Sequence, residues 1–165
     1  MECDNSFEIN PRRGEYILMD KECGKIVSKT IFRTPSAAGK GILVSPTVDG
    51  NLLLGPTSVD MEDKEDKSVY AEGLAAIRTS AGECVDGINY GDVITSFTGL
   101  RAVGSTGDFI IDSPKENFIN AAGIESPGLS ASPAIAEYVL GMLKDMGFSY
   151  SENKDYNGKR KSNHY

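Results

Sequence analysis

An α+β fold with a mainly antiparallel sheet is what this sequence predicts, and three observations predict it. Short β-branched and aromatic runs separated by turn signals fill the first half of the chain. Asp49-Gly50 sits between two of these runs, where glycine tolerates the positive φ of a tight hairpin turn. The one strand, glycine-rich turn and helix in series, "NFINAAGIESPGLSASPAIAEYVLGML" at 117–143, comes last. Many strands followed by a lone strand-turn-helix make an α+β chain, because one strand and one helix cannot build a doubly wound sheet.

The elements follow in order. "FEINPRRGEYILM" (7–19) ends in a short strand over "EYILM", and "DKECGK" (20–25) reads as a turn. "IVSKTIF" (26–32) alternates like a second strand. "GKGILVSP" and "NLLLGPT" are apolar runs on either side of "TVDG", so residues 15–55 read as a sheet of about four strands. The charge-mixed run 60–67 is a solvated loop entering a helix over about 68–81. Leu74, Ile77 and Ala81 share one face of that helix, and Gly73 weakens it. "DVITSFTGLRAV" is a further strand, and "GDFIID" and "NFINAAG" are two short ones. A final helix is expected from about Ser130 to Met146, with Ser132-Pro133 (or Ser130) as its cap and Ile135, Val139, Met142, Leu143 and Met146 on one face. Residues 151–165 are polar, and Lys159-Arg160-Lys161 reads as linker.

Composition narrows the function. A chain of 165 residues supports one domain with a real core, and 39% apolar with 25% charged residues is ordinary for a globular protein. The net charge of −7 argues against nucleic acid as a partner. No apolar run approaches a membrane span, and no signal peptide is visible. Cys3, Cys23 and Cys84 are odd in number and widely spaced, which makes neither a disulfide framework nor a metal site and suits a reducing cytosol. A single histidine, His164, lies in the polar tail, so a Ser-His-Asp triad or a histidine metal site is excluded.

Four stretches are candidates for chemistry. "GKG" at 39–41 lacks the spacing of a phosphate loop and leads into a strand, so it reads as a turn. "GIESPG" at 123–128 is one residue out of register with a nucleophile elbow. Arg101 lies in an apolar strand two residues after Gly99. A guanidinium there needs an anion: either a carboxylate of the chain in a structural salt bridge, or a substrate carboxylate or phosphate bound in a bidentate way. In "NPRRGEY" two arginines precede a glycine at a strand entry; this is either a solvated turn or a second anion contact walling a pocket. Gly123 and Gly128 flank "IESP", either as a plain tight turn or as a place where backbone and helix N–H groups approach a flat, partly anionic ligand.

Together, "NPRRGEYILMD", "GKGILVSPTVDGNLLLGPT", "ITSFTGLRAVG" and "FINAAGIESPGLSASPAIAEYV" resemble, in this order, FAD-dependent oxidoreductases of the D-amino-acid-oxidase superfamily. The branch they are most similar to is the bacterial glycerol-3-phosphate dehydrogenase and 2-hydroxyglutarate oxidase-like group, over about residues 5–148. The resemblance implies that residues 5–106 form a substrate-binding domain that roofs the flavin. Residues 107–148 would be the C-terminal part of a Rossmann-like FAD-binding domain, and 149–165 a polar tail. The N-terminal half that carries GxGxxG in the family is absent here and would be the chain's first partner. Arg101 matches the family's substrate-anion arginine, Gly123, Ile124, Gly128 and Leu129 match its flavin-contacting turn, and Arg13 and Gly14 match its "PxRG" strand entry. Arg101 is followed by Ala-Val where many members have proline, and Glu125-Ser126-Pro127 replaces a Gly/His-rich version. No residue matches a catalytic base, and no metal is implied.

The implied reaction is hydride transfer from a small anionic hydroxy compound to flavin, with glycerol 3-phosphate first and 2-hydroxyglutarate or an amino acid as alternatives. Oxygen, a quinone or an iron–sulfur partner would take the electrons, in the cytoplasm or at the inner face of the membrane. The 165 residues alone are expected to be inactive, to hold FAD weakly or not at all, and to dimerise through an exposed sheet edge. Two readings of another class remain beside it: a complete anion-binding module, and a structural domain whose site has decayed.

Overall fold

The computed structural model describes residues 7–32, 34 and 41–159. Cys3, Gly39, Lys40, Arg160, Lys161 and His164 therefore lie outside the described residues. Strand β1 (Ile9–Met19) organises everything before residue 110. It pairs antiparallel along its whole length with β6 (Val93–Gly104). Its other edge is shared by β4 (Leu52–Gly55), opposite Ile17–Met19, and by β5 (Val59–Asp60), opposite Arg12 and Arg13. Beyond β4 lie β3 (Leu43–Pro46) and β2 (Ile31–Phe32), again antiparallel. The fold is α+β, as the sequence predicts, and the four strands expected up to residue 55 belong to a six-stranded sheet.

The hairpin between β3 and β4 is closed as the Asp49-Gly50 signal requires. Gly50 has φ +89°, its N–H donates to the Thr47 carbonyl at 3.1 Å, and the Asn51 N–H donates to the Thr47 hydroxyl at 3.0 Å. Two expectations fail nearby. Only Ile31 and Phe32 of the 26–32 segment are strand, because a 3₁₀ turn at Cys23–Lys25 leaves Ile26 in the helical region and turns Val27 into the core. And β1 starts at Ile9 rather than at residue 15, because residues 9–14 pair in register with residues 99–104 of β6; Arg13 and Glu15, buried side by side, offset each other's charge.

Side chains alternate along β1, so Arg13, Glu15, Ile17 and Met19 face one way and Arg12, Gly14 and Tyr16 the other. Helix α1 (Ala71–Cys84) lies on the first of these faces. Ile77 and Ala81 pack there against Ile17, Met19, Val44, Leu52 and Leu54, all buried, with Leu74 partly buried at the margin. The expected helix face is the observed one. Gly73 has a specific reason to be glycine: a Cβ there would run into the Glu15 carboxylate.

Cys23 belongs to the same core, its thiol 3.5 Å from Asp92 Oδ2. Burial first, and the Asp92 carboxylate second, push this thiol above its ordinary value, which starves it of the reactive thiolate at neutral pH. Cys23 is expected to react with iodoacetamide at least about tenfold more slowly than half-buried Cys84, and at the free rate once unfolded. Mass spectrometry of the labelled tryptic peptides reads this directly; equal labelling of the two in the folded protein would contradict the packing.

Residues 111–120 and 127–159 form a second unit. It contains most of the hairpin β7 (Ile110–Lys115) and β8 (Phe118–Ala122), turned at Asn117 with φ 58°, and helix α2 (Gly128–Asp145). Asn is among the few side chains that accept this backbone conformation. Along α2, Ile135, Val139, Met142, Leu143 and Met146 are half-buried while their neighbours are exposed. With Ile119 and Phe148, Val139, Leu143 and Met146 line an apolar groove. The start of α2 corrects the expected cap. The helix begins at Gly128, its cap residue is Pro127, and Pro133 lies inside it. The Ser132 hydroxyl donates to the Leu129 carbonyl at 2.8 Å. That carbonyl is the one Pro133 would have bonded had it an N–H, so Ser132 repairs the ladder rather than capping it. Among the described residues no helix is long and apolar enough to cross a membrane.

Candidate functional site

The second face of β1 and β6 carries the candidate site. Directly paired residues of antiparallel strands point to the same side, and the register sets Arg12 opposite Arg101, Gly14 opposite Gly99 and Tyr16 opposite Phe97. Tyr16 and Phe97 stack, with ring centroids 5.1 Å apart and planes 13° from parallel. Over Gly99 the space is open: a Cβ there would meet nothing within 4 Å. Gly14 serves a different end. The Arg101 side chain crosses β1 above it, and a Cβ on Gly14 would stand 3.5 Å from Arg101 Nη2 and 3.1 Å from Pro56 Cβ.

Arg101 donates from Nη2 to the Thr57 carbonyl at 2.8 Å and, at longer range, to the Arg13 carbonyl at 3.4 Å. Among the described residues no carboxylate lies within ion-pairing distance of it. The salt bridge weighed for this residue is therefore not what holds it. Two neutral carbonyls fix one edge of the guanidinium and leave its charge uncompensated, while Nε is a buried donor with no partner. An unmade hydrogen bond on a buried charged donor costs free energy that an anionic ligand would relieve.

The neighbouring Arg12 is neutralised. Its Nε bonds Asp60 Oδ1 at 2.6 Å. That bond holds the Asp60 carboxyl below its usual value, and the charges of Arg12 and Arg101 act in the same direction. Like charges set directly across two strands repel, so Asp60 cancels one of the two guanidiniums and leaves Arg101 as the net positive group.

Arg13, the arginine expected to join Arg101, is on the opposite face. It is buried, its Nε is 3.7 Å from Glu15 Oε1, and its guanidinium carbon lies 4.1 Å from the Tyr70 ring centroid. Glu15 is fully buried. Its carboxylate accepts from the Thr57 hydroxyl at 2.9 Å and from the Tyr70 N–H, at the start of α1, at 2.8 Å. Tyr70 is tied in turn through its hydroxyl to Asp66 at 2.7 Å. Thr57 and Glu15 carry no assignment at the level of sequence, and Arg12 is read there only as one of two arginines in a solvated turn or a second anion contact. A signal for Glu15 did exist: residues 13, 15, 17 and 19 form one alternating set, and its last two members are Ile and Met, so the two charges sharing that set had to be buried as a pair.

The glycine turn divides between the two units, Gly123–Ser126 with the first and Pro127 onward with the second. Gly123 has φ +60°, and a Cβ on it would come within 3.1 Å of Gly104 Cα. The turn thus presses backbone on backbone against the end of β6, which no side chain permits. Ile124 is half-buried. In the second unit, Gly128 is buried and Leu129 is 92% exposed. Pro127 makes no side-chain cap bond, so the first N–H groups of α2 keep their capacity for an acceptor. Each unit taken by itself offers part of what a flat, partly anionic cofactor needs: the first a backbone-only turn at Gly123, the second an uncapped helix start at Gly128.

The model of the family described as FAD dependent oxidoreductase matches residues 2–142. A glycerol 3-phosphate dehydrogenase of Caloramator mitchellensis is 44% identical over 98% of the chain, which spans 34% of that protein. A glycerol 3-phosphate oxidase of Mycoplasma pneumoniae is 33% identical over 94% of the chain and 41% of its own length. Among solved structures, dithionite-reduced L-α-glycerophosphate oxidase from Mycoplasma pneumoniae with FAD bound superposes with a TM-score of 0.82, at 31% identity over 93% of the chain and 40% of that protein. Glycine oxidase from Bacillus cereus shares the fold, with a TM-score of 0.72 at 16% identity over 90% of the chain and 39% of its own. The chain thus spans between a third and about two fifths of each of these proteins.

Proposed function

Because the chain belongs to the FAD dependent oxidoreductase family, we propose that it supplies the substrate-binding sheet and the last part of the cofactor site of an enzyme oxidising glycerol 3-phosphate. Residues 5–106 are the substrate domain and residues 107–148 the C-terminal part of the FAD-binding domain. The remainder of the site comes from an N-terminal half of the same parent protein. This reading is supported by the names of the relatives and by the share of them that the chain spans. It follows that the 165 residues alone do not turn over substrate or retain FAD in stoichiometric amount.

One observation carries the substrate class: Arg101, with its charge uncompensated and its Nε unbonded, beside the open space at Gly99. A planar guanidinium with one edge fixed by carbonyls offers its remaining donors as a fork to a phosphate or carboxylate. In that role Arg101 anchors the substrate anion and so sets the position of the carbon to be oxidised. Gly99 leaves room above the strand, and Tyr16 and Phe97 wall it with an apolar surface. Gly123, Ile124, Gly128 and Leu129 hold the cofactor at the turn, where N–H groups at the start of α2 favour negative charge. The flavin, when bound, supplies the two-electron acceptor.

The natural full-length product is expected to be yellow, and to lose its blue-light absorbance when glycerol 3-phosphate is added without oxygen. A flavin that stays oxidised with glycerol 3-phosphate and bleaches with 2-hydroxyglutarate or an amino acid would move Arg101 to a carboxylate substrate. A full-length product with no flavin would overturn the reading.

A further inference from the structure

We infer that Thr57 and Glu15 are positioning residues for Arg101, a role that rests on Arg101 holding the substrate anion. Thr57 lies in the link between β4 and β5, outside any strand. Both backbone groups of Glu15 nevertheless bond to it. The Glu15 carbonyl accepts from the Thr57 N–H at 3.2 Å, and the Glu15 N–H donates to the Thr57 hydroxyl at 2.9 Å. In a regular antiparallel pair that second bond is made to a backbone carbonyl. Here a hydroxyl takes the carbonyl's place, so the Thr57 carbonyl is released from the ladder. It accepts from Arg101 Nη2 instead, at 2.8 Å.

The Glu15 carboxylate fixes the exchange. The Thr57 hydroxyl donates its one proton to Glu15 Oε2 at 2.9 Å, which leaves its lone pairs for the Glu15 N–H. A bond of this kind to an ionised acceptor is stronger than one between neutral groups. The carboxylate is itself held by the Tyr70 N–H, the Arg13 guanidinium and the missing Cβ of Gly73. The buried network on the α1 side of the sheet therefore decides where a carbonyl points on the other side. That carbonyl decides where the guanidinium lies. Neither Thr57 nor Glu15 needs to touch substrate.

Valine at position 57 keeps the shape and removes the hydroxyl. The orphaned Glu15 N–H then competes for a backbone carbonyl, and Arg101 loses its anchor. In the full-length flavoenzyme, Thr57→Val is expected to raise the KM for glycerol 3-phosphate about tenfold with kcat within about twofold, and Thr57→Ser is expected to restore KM to within about twofold of wild type. A loss of stability without a role in positioning would lower Tm and leave KM alone, and that result overturns the inference. Should Thr57→Val yield no folded protein, Glu15→Gln serves in its place: a KM unchanged from wild type in that variant also overturns it. A wild-type enzyme that does not oxidise glycerol 3-phosphate defeats the substrate assignment rather than this one. The same variants are then compared by NMR of the Arg101 guanidinium. Faster rotation of its Nη groups in Thr57→Val, with Thr57→Ser at the wild-type rate, supports positioning; equal rates in all three overturn it.

Discussion

Replacing Arg101 by methionine in the full-length enzyme is expected to lower kcat/KM for glycerol 3-phosphate by roughly 10²–10³-fold, the loss of two charge-assisted hydrogen bonds to an anion. Methionine keeps the apolar stem of the side chain and removes the charged head, so the sheet should survive. The loss should appear mainly in KM if the phosphate is held equally in the ground and transition states, and in kcat as well if the arginine aligns the reacting carbon. Lysine should recover little. A point charge cannot bond the Thr57 carbonyl and still present a fork to the ligand. Steady-state kinetics and the rate of anaerobic flavin bleaching measure the same quantity independently. A kcat/KM within about threefold of wild type would remove Arg101 from the site.

The largest effect on stability is expected from Gly73→Ala. In an exposed helix interior this change stabilises by about 1 kcal/mol, because glycine is a poor helix former. At residue 73 the sign reverses. The new methyl group would enter the space of the Glu15 carboxylate, and the carboxylate cannot retreat without breaking its bonds to Thr57 and Tyr70 and leaving Arg13 unpaired in the interior. Disrupting a buried charge pair from one side costs about 3–5 kcal/mol. Urea unfolding followed by circular dichroism gives the value, and the double variant Glu15→Ala, Gly73→Ala should be less unstable than the sum of the two single changes, since removing the carboxylate removes the clash. A neutral or stabilising Gly73→Ala would refute the packing of α1 on Glu15.

Where a periodic signal ran over a long element the structure agrees with it, whereas the short alternation over 26–32 gave way to the 3₁₀ turn at Cys23–Lys25. The faces of both helices and the long strand through Arg101 rest on residue pattern, the hairpin at Asp49-Gly50 on turn chemistry, and they stand. What spacing could not convey was the identity of distant partners. "NPRRGEY" looks like a polar turn until Glu15 is known to be 0% exposed and balanced by Arg13. Ser132-Pro133 has the composition of a helix start, and the same two residues are equally at home mending a ladder one turn further in. Arg101 was visible as an anomaly because a charge in an apolar strand demands an explanation, whereas Thr57 offered none: a threonine after Gly-Pro is unremarkable until its carbonyl is seen to bind an arginine 44 residues away.

The pairing of β1 with β6 also has a consequence for how the protein comes into being. Ile9 pairs with Gly104 and Met19 with Val93, so the strand at the heart of the sheet finds one whole edge only after most of the intervening chain has left the ribosome. At about 5–20 residues per second, β1 waits several seconds for β6, with its Arg13–Glu15 pair unburied and one edge open to a neighbouring nascent chain. Such long-range pairing folds slowly. Synthesis rate and chaperone supply are therefore expected to bear on its yield alongside the equilibrium strength of the finished sheet.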